Sequence, residues 1–183
     1  ETIDKISNEL TPMVATARKI KEDHPDASVV FIGPCASKKL EASRRTVRSD
    51  VDFVITFEEL AGMFEAKGLL PEAVEAHDHM NDATSAGRGY GVAGGVASAI
   101  ESCIREYYPD VEVHIEHAES LAECKKMLML AKAGKKNGCL IEGMACPGGC
   151  VAGAGTNIPI PQAVKEVTSF KNAAEEKLPS KED

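Results

Sequence analysis

Cys146 and Cys150 lie four residues apart and enclose Pro147, Gly148 and Gly149. This pattern predicts a tight loop that brings two thiolates and several backbone N–H groups to one point, which is what an iron–sulfur cluster needs. Structural zinc is a second interpretation, although zinc usually takes paired Cys or Cys/His units and this loop supplies only one pair. A turn of small residues with two buried thiols is the third, and the spacing alone does not choose among them.

A further cysteine, Cys35, follows an apolar run over 28–32 after one glycine and one proline. If that run is a buried parallel strand, Cys35 lies at the sheet edge where open α/β folds bind their ligands. Lys38 and Glu41 come three and six residues later, so a helix start would place them on the side of the thiol. A cation there would favour a thiolate or an anionic ligand. The alternative is a solvated basic stretch at a helix start.

A glycine-rich segment over 86–96 precedes a predicted helix over 97–107. The segment lacks the Gly-Lys-Ser/Thr of a phosphate-binding loop, and no clear strand precedes it as a dinucleotide fingerprint requires. We interpret it as backbone that closely approaches a bulky buried cofactor, and the alternative is helix packing against small residues. His77 and His79, in the polar loop 68–83, could hold a metal, but such a pair is more often solvated.

Strands and helices alternate along the chain, which predicts an α/β fold with a mostly parallel sheet flanked by helices. The run over 111–116 alternates apolar and polar residues and predicts an edge strand, whereas the other strands are short apolar runs. Thr56 and Glu59 form a capping box, Gly134 ends a helix, and Pro12 either kinks a helix or begins a second one. Cys124 and Cys139 are interpreted as core residues. The predicted strands are 28–32, 52–56, 111–116 and 138–142, and the predicted helices are 3–23, 57–64, 97–107, 121–133 and 162–174.

The composition is that of a globular protein, with 43% hydrophobic and 27% charged residues among 183. A net charge of −8 argues against nucleic acid as a partner, because phosphate binding needs a basic face. Six irregularly spaced cysteines do not make a secreted disulfide framework, so a reducing cytosol is the expected compartment. No apolar run approaches the length of a membrane helix. The chain begins at Glu1 and is expected to be a fragment of a longer protein.

Two segments together resemble signature motifs of one family. Residues 30–42, which contain Gly33-Pro34-Cys35, and residues 141–150 resemble the second and third motifs of the iron-only ([FeFe]) hydrogenases. The intervening segments 50–61 and 91–96 are similar to family segments in the same order. The resemblance runs from about residue 11 to residue 156, and it implies one portion of the two-lobed catalytic domain of that family over 1–174, followed by a charged, frayed tail over 175–183.

The resemblance also implies a cofactor, the H-cluster, which is a [4Fe–4S] cubane joined through a cysteine thiolate to a two-iron unit with carbon monoxide, cyanide and dithiolate ligands. By motif position, Cys35 and Cys146 would bind the cubane, and Cys150 would bind it and bridge to the two-iron unit. Lys38 would donate a hydrogen bond to a cyanide. Met144 would pack beside the two-iron unit, and Glu41 matches a glutamate on the family's proton path.

The sequence departs from the family pattern in two respects. Nothing in the chain matches the first motif, Thr-Ser-Cys-Cys-Pro, which supplies the fourth cubane ligand and a proton-relay cysteine. Gly33 stands where well-studied catalytic members have Met, and Ala152 and Ala154 interrupt a run of glycines. The chain alone is therefore expected to be largely without metal and inactive, with Cys35, Cys146 and Cys150 close together.

The functional expectation is the carboxyl-terminal part of an anaerobic, cytoplasmic iron-only hydrogenase. The intact oxidoreductase would interconvert protons, electrons and dihydrogen, with upstream ferredoxin-like domains and a ferredoxin or similar redox partner for electron transfer. A non-catalytic hydrogen or redox sensor with the same cluster-binding fold is the alternative, and a cysteine-liganded structural zinc protein is the third. Hydrogen turnover and metal analysis distinguish these three functions.

Overall fold

The fold is described from a computed structural model over residues 3–75 and 82–180. His77 and His79, considered above as metal ligands, lie outside these residues. The elements confirm the predicted α/β class. The helices are α1 (Pro12–Asp23), α2 (Ser37–Ser43), α3 (Phe57–Ala66), α4 (Ser85–Arg88), α5 (Gly95–Tyr107), α6 (Leu121–Lys132) and α7 (Ile160–Asn172), and the strands are β1 (Val30–Ile32), β2 (Phe53–Ile55), β3 (His114–Glu119) and β4 (Cys139–Met144).

The chain divides into two compact units. The smaller unit contains Asp4–Glu75 and Gly153–Asn157. The larger unit contains Glu1–Ile3, Ala76–Ala152 and Ile158–Asp183. Each unit has its own secondary structure and its own candidate site residues.

The smaller unit contains a two-stranded parallel sheet. β1 pairs with β2, with Val30 opposite Phe53 and Ile32 opposite Ile55, and α2 lies between them in the chain. Pro12 is the first residue of α1 rather than a kink, because its missing N–H costs nothing there. α1 contributes buried side chains at Met13, Val14 and Ala17.

The larger unit contains a second parallel pair, β3 and β4, joined through α6. β3 begins three residues later than the run predicted over 111–116 and pairs His114 with Cys139 and Glu119 with Met144. α6 ends in a Schellman arrangement, since the amides of Gly134 and Lys135 donate to the carbonyls of Ala131 and Leu130. Gly134 has a φ of +73°, so its predicted role at the helix end is confirmed.

The structure therefore contains two separate parallel pairs over its described residues, and the predicted parallel pairing of the strands is confirmed. In each unit the strands that pair are neighbours in sequence separated by one helix, which is the minimal parallel crossover.

The segment after α7 is hydrogen-bonded to other residues of the larger unit as far as Pro179. The prediction of a frayed tail is therefore wrong over these residues. The Tyr107 hydroxyl donates to the Pro179 carbonyl over 2.5 Å. The amides of Ser85 and Ala86 donate to the carbonyls of Glu176 and Lys177. Within residues 3–75 and 82–180, no helix is long and apolar enough to span a membrane.

Candidate metal centre

The Cys146–Cys150 loop begins just after β4 and forms a tight turn. The Gly149 amide donates to the Cys146 carbonyl over 3.0 Å, and the Ala152 amide donates to the Gly149 carbonyl over 3.0 Å. A short 3-10 helix over Cys150–Ala152 follows, anchored by the buried Val151. Cys146 is half-buried and Cys150 is exposed, so a metal could reach both thiols.

Both glycines of the turn adopt backbone conformations that side chains disfavour. Gly148 has a φ of +94° and Gly149 a φ of +92°. A Cβ on Gly149 would lie 2.4 Å from the Ala93 nitrogen and 2.7 Å from the Val92 carbonyl carbon. The turn is thus packed against the backbone of the glycine-rich segment, and only glycine fits at 149.

One amide of the turn already has a partner within the protein. The Gly148 N–H donates to the Glu119 carboxylate at the end of β3 over 2.8 Å. The sequence-based interpretation assigned the backbone N–H groups of this loop to cluster sulfides. At Gly148 a carboxylate accepts that hydrogen bond instead.

The second candidate loop is in the smaller unit and follows β1. The Gly33 amide donates to the Ile55 carbonyl over 3.1 Å, which continues the pairing of β1 with β2. Cys35 is half-buried, and its Sγ lies 3.0 Å from the Ser37 hydroxyl at the start of α2. The Pro34 carbonyl accepts from the amide of Gly155, a residue of the same unit, over 2.9 Å, so this bond fixes the backbone just before Cys35.

Lys38 and Glu41 contact each other one turn apart on α2. The Lys38 ammonium donates to Glu41 Oε2 over 2.5 Å, and the Thr11 hydroxyl donates to Oε1 over 2.5 Å. Burial raises the pKa of Glu41, but the hydrogen bonds from Lys38 and Thr11 and the Lys38 charge outweigh it and lower the pKa overall. Glu41 is therefore held as a carboxylate, and Lys38 is drawn toward it.

The backbone amides of the glycine-rich segment have a hydrogen-bond acceptor that sequence reasoning missed. The Glu142 carboxylate accepts hydrogen bonds from the amides of Gly94, Val96 and Ala97, over 2.5, 3.0 and 3.3 Å. His117 Nδ1 lies 3.5 Å from the same carboxylate. A side chain of the chain itself thus satisfies these amides, and the close approach of the segment to a cofactor stays a prediction. The signal for this contact in the sequence was Glu142 itself, the one acidic residue in the apolar strand predicted over 138–142.

Met144 ends β4, is half-buried, and its carbonyl accepts from the Ser120 amide over 2.8 Å. Cys124 and Cys139 are half-buried rather than fully buried as predicted. Cys124 packs against Gly143, where a Cβ would lie 3.1 Å from its sulfur. The Cys124 thiol therefore belongs to the packing of α6 against β4.

The candidate ligands are divided between the units, with Cys35 in the smaller and Cys146 and Cys150 in the larger. Over residues 3–75 and 82–180, no three His, Cys, Asp or Glu side chains form a group that could hold a metal ion. The convergence of the three cysteines on one metal group stays a prediction. Their chemistry fits an iron–sulfur cubane, since thiolates are its usual ligands, and the turn exposes Cys150.

The sequence is similar to known hydrogenases over most of its length. It is 30% identical over 175 residues to the periplasmic [Fe] hydrogenase large subunit of Nitratidesulfovibrio vulgaris, covering 76% of this chain and 41% of that protein. It is 27% identical over 210 residues to iron hydrogenase 1 of Clostridium pasteurianum, covering 91% of this chain and 36% of that protein. The chain thus spans less than half the length of these relatives.

Solved structures of [FeFe]-hydrogenases share the fold. A variant from Chlamydomonas reinhardtii superimposes with a TM-score of 0.61 at 20% identity, covering 90% of this chain and 59% of that one. A structure from work on oxygen inactivation of the H-cluster gives a TM-score of 0.60 at 19% identity, with the same coverage. The family described as "iron only hydrogenase large subunit, C-terminal domain" matches residues 1–154. The chain belongs to this family of iron-only hydrogenase large subunits.

Proposed function

We propose that this chain is the carboxyl-terminal part of an H-cluster domain, and that the intact protein is an oxidoreductase that interconverts protons, electrons and dihydrogen. The observation that carries the proposal is the Cys146–Cys150 turn, in which two left-handed glycines and close backbone packing leave an exposed thiol beside a half-buried one. A relative named as a [Fe] hydrogenase shares 30% identity. The H-cluster, when bound, supplies the redox chemistry and the hydrogen activation.

The chain's own residues would hold the cluster through thiolates. Cys35, Cys146 and Cys150 would provide three of the four thiolates that a cubane takes, and Cys150 would also hold the two-iron unit. The fourth thiolate and a proton-relay cysteine would come from the first-motif segment of the intact protein. That dependence on another segment is why we expect the isolated chain to be inactive.

Lys38 is proposed to donate a hydrogen bond from its ammonium group to a cyanide of the two-iron unit. Its bond to Glu41 orients the side chain, which is only 22% exposed. Met144 is proposed to pack its thioether beside the two-iron unit, since it ends the strand that leads into the cysteine turn.

Glu41 is proposed to pass protons toward the protein surface. Its lowered pKa keeps it ionised at neutral pH, so it would accept a proton only while Lys38 turns toward an anionic ligand. While Lys38 stays bonded to Glu41, the carboxylate holds the Lys38 side chain in position. Replacement by Gln would remove both functions but would leave the three thiolates in place.

The partners we propose are upstream ferredoxin-like domains of the same protein and a ferredoxin or similar redox protein. α6 and the loop after it supply a basic surface in an otherwise acidic chain, which suits an acidic partner. We propose a cytoplasmic location, because six irregularly spaced cysteines do not make the disulfide framework of a secreted protein. The relative from Nitratidesulfovibrio vulgaris is, by contrast, named as periplasmic.

The test is the iron, sulfide and zinc content of the full-length protein, matured anaerobically, together with its hydrogen evolution. We expect hydrogen turnover together with iron beyond the amount that the upstream ferredoxin-like domains hold, and in Cys150→Ala we expect the loss of turnover and of that additional iron. Cys103→Ala is the matched control, because Cys103 lies within α5, outside both cysteine loops. Zinc without iron would contradict the proposal.

A sensor with the same cluster is the second candidate, and Gly33 favours it. The Phe31 ring lies where a side chain at 33 would be, with two ring atoms 2.9 Å from the Cβ position. Well-studied catalytic members have a methionine at this position. In this chain a glycine stands there, and the Phe31 ring lies in the space that a side chain would take. Iron loading with no hydrogen turnover at enzymatic rates would select the sensor.

A further inference from the structure

Glu142 is nearly inaccessible to solvent, yet it is not among the proposed metal ligands. Its side chain is 8% exposed. Three amides at the start of α5 donate to its two oxygens, and the partial positive charge of a helix N-terminus favours the carboxylate. The three amide donors all belong to the backbone, so this carboxylate fixes the conformation of the segment 94–97.

The same segment contacts the cysteine turn just before these amides. The Ala93 amide donates to the Gly148 carbonyl over 3.1 Å. The backbone of Val92 and Ala93 also lies against Gly149, where a Cβ would be only 2.4 Å from the Ala93 nitrogen. The position of the turn is thus set by residues 91–93.

These contacts connect Glu142 to the cysteine turn by two routes, one along the chain and one through the glycine-rich segment. Glu142 lies four residues before Cys146 in the chain, and its carboxylate holds 94–97. Residues 92–93 continue directly from that segment and hold Gly148 and Gly149. A shift at the carboxylate would therefore be transmitted to the backbone between the two thiols.

We propose that Glu142 is a positioning residue for Cys146 and Cys150, acting through the glycine-rich segment. The proposal rests on the proposed function in one respect, that these thiols bind the cluster. A carboxylate suits the position because three donors converge on two acceptor oxygens. Glutamine offers one acceptor, and its NH₂ group would face N–H donors.

The competing explanation is that Glu142 only caps α5. In that case its replacement would loosen the first turn of the helix, and the cysteine turn would keep its structure. The two explanations differ at residues 146–150, which no capping bond of Glu142 reaches.

The test is amide hydrogen exchange and thiol alkylation of the intact protein, isolated without cluster maturation. Glu142→Gln is compared with Glu116→Gln, which removes a carboxylate from the neighbouring strand, where it pairs with Lys136. We expect exchange to rise about tenfold or more in 92–97 and also in 147–151, with faster alkylation of Cys150 than in the wild type. Glu116→Gln should leave both segments at wild-type rates.

Faster exchange in 94–97 alone would overturn the proposal, and so would unchanged exchange in both segments. If Glu142→Gln does not fold, Glu142→Asp keeps the charge but shortens the side chain by one methylene, and it should raise exchange in both segments by a smaller factor. Iron loading of the matured variants gives an independent readout. A wild type without iron would contradict the proposed function, whereas the exchange result would still decide the positioning of the turn.

Discussion

Gly149 is the residue at which the cysteine turn leaves no space for a side chain. Gly149→Ala would combine a left-handed conformation, costing about 1–2 kcal/mol, with a collision against backbone atoms of Val92 and Ala93. We expect a lower free energy of unfolding in urea and reduced iron per chain. Gly138→Ala is the matched control, because its φ is +76° and nothing lies within 4 Å of the added Cβ. Equal effects of the two variants would contradict the importance of the backbone contact.

Phe31 and Gly33 share one space in the smaller unit. Gly33→Met would force the Phe31 ring aside, since two ring atoms lie 2.9 Å from the Cβ position, and overpacking of this kind costs about 1–3 kcal/mol. In the double variant with Phe31→Ala we expect part of that loss to be recovered. A double-mutant cycle of urea unfolding measures the coupling between the two positions. Additive effects would mean that the ring and the glycine are independent.

Glu41 is expected to make stability depend on pH in the acid range. Its folded pKa lies below the ordinary value, so its contribution is fully present above the unfolded pKa of about 4.3 and is lost as pH falls through the folded pKa. The urea midpoint of the wild type should therefore fall more steeply below about pH 4.5 than that of Glu41→Gln. Glu9→Gln, at an exposed site of the same unit, is the control. Parallel pH profiles for wild type and Glu41→Gln would refute the coupling.

Among the elements, α6 has the clearest candidate surface for a redox partner. Leu121 and Met129 are 74% and 64% exposed. Exposed lysines at 125, 126, 132 and 135 lie on the helix or just after it, whereas Lys136 pairs with Glu116. Charges on such a surface accelerate association with a partner of opposite sign.

Neutralising Lys125 and Lys126 together to Gln should raise the KM for an acidic ferredoxin several-fold in the intact enzyme, and the effect should shrink at high salt. Hydrogen evolution from a small dye donor should be unchanged, because a dye does not need the surface. Lys165→Gln on α7 is the matched control for loss of an exposed positive charge. A ferredoxin KM that is the same in all variants would remove α6 from the docking surface.

Elements with local signals were predictable from the sequence. The Thr56 hydroxyl accepts from the Glu59 amide as a capping box predicts, and Pro12 begins α1, which is one of the two alternatives that its position allowed. Both signals act within one helical turn, so neighbouring residues suffice to identify them. The two cysteine loops were also placed correctly after β1 and β4, because short apolar runs bounded by turn residues are typical of parallel strands.

Features that depend on distant contacts were not predictable in the same way. β3 begins at His114 because its pairing with β4 sets its limits. The alternation of apolar and polar side chains indicates that a strand is present but does not fix its first and last residues. The role of Glu142 depends on amides more than forty residues away, which no spacing rule reaches. The division into two parallel pairs likewise depends on which strands meet in space.

At the scale of the whole molecule, the proposed ligands come from both units, Cys35 from one and Cys146 and Cys150 from the other. A metal group that binds only the folded state stabilises each unit that contributes a ligand to it. If all three thiolates bind one cluster, loading must reduce local opening in both units. Loading that involves only the Cys146–Cys150 turn would affect the larger unit alone.

Iron removal from the matured, full-length protein tests this directly. After anaerobic chelation we expect amide exchange to increase in both 33–38 and 145–152, while 160–172 in α7 stays as protected as before. In matured Cys35→Ala, the change on chelation at 33–38 should disappear because the ligand of that loop is lost. An increase confined to 145–152 in the wild type would show that Cys35 does not bind the cluster, and the ligand set would then have to be drawn from the larger unit and the rest of the intact protein.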